Sequence, residues 1–267
     1  MPYSERPNRS NPGCILFLID QSASMNEAFG KGEGKRKADG VAEAINILLD
    51  ELVTLCTKGP VVRDYFYIGV IGYGPRVGPA FSGYLAELQE ENPLIPISKL
   101  AEHPAGITDD EMYIWFEPVA ENRTPMCEAI RQARLILEKW VHNPDHLNSY
   151  PPIVINLTDG AVNDGDPTGP AETVRNLTTN DGNTLLFNCH ISSQPVAPIL
   201  YPSESVGLPD EFAKLLFEMS SILPDTQREA ALSAGLTLMP QARGFVFNAG
   251  LEDVFKFIKF GTKTEIE

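Results

Sequence analysis

The 267-residue chain carries 36 acidic against 21 basic side chains, a formal charge of -15, with 43% hydrophobic residues. That charge opposes phosphate backbones and anionic headgroups, which argues against nucleic acid or a membrane surface as partner. The apolar fraction argues against disorder, and the length suits one α/β domain with insertions and many loops.

Residues 1–13 read as a polar, Pro/Asn-rich arm without the apolar stretch of a secretory signal, and no apolar run approaches the roughly 18 residues of a membrane span. A cytoplasmic protein is expected. Cys14 to Ile19 (CILFLI) is a continuous apolar run suited to a strand buried on both faces, and it ends on Asp20. A Gly/Lys-rich loop from Met25 to Lys37 leads to a helix with Val41, Ile45, Leu48, Leu49, Leu52, Val53 and Cys56 at helical spacing, stopped by Lys58-Gly59-Pro60. Tyr65 to Tyr73 is a second strand, and Gly74-Pro75 turns the chain so that Ala80 to Leu85 is expected to pair back antiparallel.

The stretch up to Arg123 is irregular, with a short helix around Lys99 and a strand-like Tyr113 to Phe116. A strong helix follows from Thr124-Pro125 to about His142. Pro152 to Leu157 gives a third buried strand ending at Thr158-Asp159-Gly160, then come a helix at Pro167 to Leu177 and a strand at Thr184 to Ile191. The last elements are helices around Phe212 to Met219 and Thr226 to Ala234, a strand at Phe245 to Asn248, and a closing helix with Leu251, Val254, Phe255 and Ile258. Alternating strands and helices specify a doubly wound α/β fold: a mostly parallel central sheet, one antiparallel edge strand and helices on both faces. The expected organisation is an arm at 1–13, a single domain at 14–262 with an insertion at about 86–123, and a tail at 263–267.

Cys14, Cys56, Cys127 and Cys189 form no CxxC pair and fall within strands or helices, so they read as small buried residues. Cys127, in the first turn of a helix, has an activated thiol as its alternative reading. The four histidines are scattered without ligand spacing or a nucleophile elbow, which gives no support to a catalytic triad.

In an open parallel sheet, ligands bind at the carboxyl ends of the strands, where the polar residues that end an apolar strand point. Asp20, Ser22 and Ser24 stand at alternating positions after the first strand, Asp159 follows the third, and Thr124 stands at a helix start. All five offer oxygen and none offers nitrogen or sulfur, so a hard cation, Mg²⁺ with Mn²⁺ or Ca²⁺ as substitutes, suits them better than zinc or copper. Taken singly each also has a plain structural reading: Thr124 as a helix N-cap, Asp159-Gly160 as a turn, Asp20 and the serines as backbone hydrogen-bonders.

The pattern Asp20-x-Ser22-x-Ser24, then Thr124, then Asp159 within LTDG resembles the metal-ion-dependent adhesion site of von Willebrand factor A domains, over about residues 14 to 260. The resemblance implies that the serines and the threonine bind the metal directly and the aspartates mainly through water, with a partner's carboxylate completing the shell. It also implies a non-enzymatic protein-interaction module similar to stand-alone bacterial members, with a Ser/Thr kinase, a phosphatase or an AAA+ ATPase as partner. One departure is that the family's Gly-Gly before the threonine is replaced here by Glu121-Asn122-Arg123. The loop from Gly30 to Lys35 is longer than in many members and offers charge to a partner. The enzymatic alternative is a Mg²⁺-dependent phosphohydrolase of the haloacid dehalogenase type, which places an Asp two residues after its nucleophile; here that position is Ser22.

Overall fold

The computed structural model describes residues 2–29, 34–160, 162–191, 196–233, 237–250, 252–254 and 256–257. β1 (Gly13–Asp20) is buried along its whole length and alternates between two cores. Ile15, Phe17 and Ile19 pack with Val41, Ile45 and Leu49 of α1 (Lys37–Cys56), while Cys14, Leu16 and Leu18 pack with Met126, Ile130 and Leu137 on the opposite face. Each such side chain contributes about 1.5–3 kcal/mol by leaving water. At the start of α1 Asp39 accepts from the Arg36 N–H at 3.0 Å and from the Arg36 guanidinium at 2.6 Å.

β2 (Phe66–Tyr73) pairs parallel with β1, from Gly13 opposite Phe66 to Asp20 opposite Tyr73. The antiparallel return is β3 (Val77–Pro79), not Ala80 to Leu85, and Tyr84 already opens helix α2 (Tyr84–Glu91). The reason lies outside the hairpin. The Ala80 N–H still donates to Val70 O at 3.0 Å, but Gln89 of α2 shares that bond, accepting from the Ala80 and Phe81 N–H groups at 3.1 and 3.3 Å and donating to Val70 O at 2.7 Å, and the ladder goes no further. β4 (Ile95–Pro96) pairs with the start of β2, and α3 (Ile97–Glu102) falls where a helix was expected. Of the strand-like Tyr113 to Phe116, only Tyr113–Ile114 pair, with Gly106–Ile107. Trp115 and Phe116 are buried, and Asn46 of α1 accepts from both their N–H groups and donates to Phe116 O.

The remaining elements are α4 (Met126–Val141), β5 (Ile153–Thr158), α5 (Thr168–Arg175), β6 (Leu185–His190), β7 (Ile199–Leu200), α6 (Glu211–Met219), α7 (Asp225–Ser233) and β8 (Phe245–Phe247). The sheet order is β7-β8-β6-β5-β1-β2-β3, with β4 beside β2. β8, β6, β5, β1 and β2 are parallel, and antiparallel β3 and β4 close one margin. The two-residue β7, too short to stand out in the sequence, closes the other. α4, α5 and α6 cover one face, and α1 and α3 the other. Of the closing helix, Leu251, Phe255 and Ile258 lie outside the described residues, while Val254 and Phe257 are buried in the core.

The N-terminal residues lie on the fold: the N–H groups of Tyr3, Ser4 and Glu5 all donate to Asp181. Among the described residues no helix is long and apolar enough to cross a membrane.

From β1 the chain builds outward through β2 on one side, and through β5, β6 and β8 on the other. The β1/β5 boundary is therefore the topological switch point, where loops diverge and leave a crevice.

Candidate metal centre

Asp20 ends β1 inside that crevice with 1% of its surface exposed. Its Oδ1 accepts from the Ser22 N–H at 2.9 Å, and its Oδ2 from the Thr158 hydroxyl at 2.6 Å. Thr158 is there because β5 runs in register with β1, Ile19 opposite Leu157. Burial pushes the Asp20 carboxyl up to about 6, and the nearby charge of Asp159 adds to this, against the hydrogen bonds from Ser22 and Thr158. Ser22 is buried and its Oγ lies 3.0 Å from Ser24 Oγ, across the start of a 3-10 turn at Ala23–Asn26.

Thr124 comes to the same place through its neighbours. The Ala23 N–H donates to Asn122 O at 3.1 Å and the Glu121 N–H to Gln21 O at 2.6 Å, which ties segment 121–124 to the loop after β1. The Thr124 N–H donates to Asn163 Oδ1, which ties it also to the loop after β5. Asn122 has φ +62°, and Asn is among the few non-glycine residues that take this left-handed region readily. It thus supplies the backbone conformation that a glycine would supply before the threonine.

The N-cap reading of Thr124 does not hold. Asp164 caps α4 from the loop after β5, accepting from the Cys127 N–H at 3.0 Å and the Glu128 N–H at 2.9 Å. Thr124 is 3% exposed, and its side chain makes no cap hydrogen bond to α4. Asp166, by contrast, accepts from the Thr168 N–H at 2.9 Å at the start of α5. Cys127 is not activated: burial, with Asp164 next to it, raises its thiol to about 11. All four cysteines are free and buried.

Asp159, one residue past β5, has a side chain 6% exposed. Its Oδ2 lies 3.3 Å from Lys37 Nζ, and its Oδ1 is buried without a partner among the described residues. Lys37 is itself buried and also meets Glu27 Oε2 at 2.7 Å. The sequence pattern puts Lys37 at the end of a Gly/Lys-rich loop. The signal that places it is helical phase, because Lys37 stands four residues before Val41 and eight before Ile45, on the apolar stripe of α1. His190, at the end of β6 beside Thr158, was also missed. It is buried and stacked on Phe247, and burial lowers its proton affinity despite Asp210 and Asp159 nearby.

Two glycines permit this arrangement. Gly160 has φ +97°, with His190 packed where a Cβ would stand. Gly74 lies against the backbone of Gln21, so an added Cβ would fall 2.7 Å from the Gln21 carbonyl carbon. Gly74→Ala is expected to displace the loop bearing Ser22, lowering stability by about 1–3 kcal/mol and weakening divalent binding together; urea unfolding and metal titration of one preparation check this.

The residues present fit a hard divalent cation. The donors are oxygen only, Asp20 and Asp159 are both buried, and among the described residues Asp159 Oδ1 is left unsatisfied where buried polar atoms are normally paired.

No protein-family model matches the chain, and no curated protein matches it in sequence. Among solved structures, the pilus adhesin SpaC of Lactobacillus rhamnosus GG is similar at TM-score 0.50 and 12% identity, over 95% of this chain and 30% of that one. This chain therefore spans less than a third of the adhesin's length. The manganese-loaded TRAP protein of Plasmodium vivax is similar at TM-score 0.45 and 13% identity, over 97% of this chain and 76% of that one. BatB of Bacteroides thetaiotaomicron is similar at TM-score 0.44 and 14% identity, over 94% and 100% of the two chains. At these identities the likeness is one of fold: a doubly wound α/β architecture, with a mostly parallel sheet covered by helices on both faces.

Proposed function

We propose that this chain is a non-enzymatic interaction module in which a divalent cation, bound by Asp20, Ser22, Ser24, Thr124 and Asp159, takes up a carboxylate of a partner protein. The observation that supports this reading is that hydrogen bonds tie segment 121–124 to the loops after β1 and β5, with Asp159 Oδ1 buried and unpartnered among the described residues. The cation is Mg²⁺, with Mn²⁺ or Ca²⁺ as substitutes. Mg²⁺ keeps several of its waters, so a shell of hydroxyls and water-linked carboxylates leaves a position open to an incoming acid. Bound there, the metal supplies a fixed positive pole in a molecule otherwise strongly acidic, and so selects one carboxylate of the partner. Phe212, 46% exposed and packed against Gly160, together with exposed Arg123 beside Thr124, frames the position with apolar surface and positive charge. The reading extends to a cytoplasmic bacterial signalling or assembly system, with a Ser/Thr kinase, a phosphatase or an AAA+ ATPase as the partner.

The phosphohydrolase alternative draws little support from the site. Ser22 stands where that chemistry needs an acid, and the nearby His190 is buried and disfavours its protonated form. Immobilised protein is expected to retain a partner from native lysate in Mg²⁺ and to release it in EDTA; the Asp20→Ala variant is expected to retain none. Retention indifferent to EDTA contradicts the mechanism, and aryl phosphate hydrolysis lost in the same variant would favour the enzyme.

A further inference from the structure

Lys37 places a cation of the protein's own inside a site whose donors suit a metal. Its side chain is 4% exposed, and its ammonium is held between Glu27 Oε2 at 2.7 Å and Asp159 Oδ2 at 3.3 Å. Its stem is fixed as well: it lies on the buried stripe of α1, and the Lys37 N–H donates to Glu27 O at 2.9 Å. Yet Lys37 meets only one oxygen of Asp159, whose Oδ1 is buried without a partner among the described residues. The Glu27 side chain is 60% exposed, so Lys37 has a second, partly solvated carboxylate already within bonding distance.

We propose that Lys37 is a built-in competitor for the metal, neutralising Asp159 in the metal-free protein and yielding it to Glu27 when a divalent cation binds. The inference rests on the metal-binding reading above. With Asp159 buried, the metal-free site needs a counter-charge, and Lys37 is the buried ammonium within reach of it among the described residues. Once a divalent ion is present, the same ammonium repels it through a poorly screened interior. Lys37 therefore stabilises the metal-free fold and weakens the metal complex, which keeps the cation exchangeable. It acts on the metal through Asp159, as a positioning residue.

Calorimetric titration of Mn²⁺ into the chelator-stripped full chain tests this, with circular dichroism and thermal unfolding in EDTA on the same samples. Lys37→Met is expected to bind Mn²⁺ roughly 10–100-fold tighter than the unaltered protein while its metal-free form melts at lower temperature. Lys37→Arg, which keeps the charge, is expected to restore both values. Glu27→Gln removes the alternative partner and is expected to weaken Mn²⁺ binding severalfold, a readout that survives if Lys37→Met fails to fold. Unchanged or weaker Mn²⁺ binding by folded Lys37→Met overturns the competitor role alone, as does unchanged binding by Glu27→Gln. Absence of Mn²⁺ binding in both the unaltered chain and Lys37→Met overturns the metal reading with it.

Discussion

Asp20→Asn is expected to weaken divalent binding at least about 100-fold while leaving the fold intact. A unit charge about 4 Å from a cation near a protein surface is worth roughly 4 kcal/mol per charge on the ion, and each 1.4 kcal/mol is about tenfold in affinity. Asn preserves the acceptor for the Ser22 N–H and can donate to Thr158 Oγ1, at the cost of the acceptor for the Thr158 hydroxyl proton alone. The sign of the stability change is the informative part. Without metal, burial holds the Asp20 carboxyl at about 6, above its ordinary value, so the folded state disfavours the charged form. The resulting penalty is absent well below the unfolded value, grows as pH rises toward about 6 and is full at neutral pH, on the order of 2–3 kcal/mol. Asp20→Asn removes it. Urea unfolding in EDTA at neutral pH is expected to show the variant at least as stable as the unaltered chain, and Mg²⁺ is expected to stabilise only the latter.

Asn156→Leu is expected to cost about 2–6 kcal/mol and to lower Tm by roughly 10 °C. Asn156 is fully buried in β5, where its Oδ1 accepts from the Tyr73 hydroxyl at 2.6 Å and its Nδ2 donates to Asn188 Oδ1 at 2.9 Å. Asn188 of β6 continues the chain of bonds to Ser220 Oγ and Leu216 O at the end of α6. The row crosses the sheet from β2 to α6 just beneath Asp20 and Thr158. Leucine, of the same branched outline but larger, leaves the Tyr73 hydroxyl and Asn188 Oδ1 without their Asn156 partners, and each lost partner carries its own desolvation cost. Calorimetric melting measures the loss directly; a Tm within about 2 °C of the original would mean that the row contributes little.

These two positions also mark what the sequence makes legible. Asp20, Ser22 and Ser24 stand out because polar residues follow an uninterrupted apolar strand, and a strand end at a switch point is where a ligand site is expected. Asn156 and Asn188 sit inside PIVINL and LLFNCH, where two-sided burial erases the alternation that would mark a polar contact. Their partners lie on other elements, beyond any local pattern. Asp164 capping α4 across 37 residues has the same cause, since a capping signature looks only a few residues ahead. The shift of β3 to Val77–Pro79 follows from Gln89, another side chain whose partners lie outside its own element. Lys37 differs: helical phase places it inward, but its charge and its setting among glycines masked the phase.

The central claim is a cation held between the loops that follow β1 and β5 and precede α4. Anomalous diffraction from crystals soaked in Mn²⁺ tests it most directly. The account predicts one strong peak within direct bonding reach, about 2.0–2.3 Å, of the hydroxyls of Ser22, Ser24 and Thr124, with Asp20 and Asp159 facing it directly or through water. No peak there at saturating Mn²⁺, or a peak elsewhere with this crevice unaltered, would contradict it.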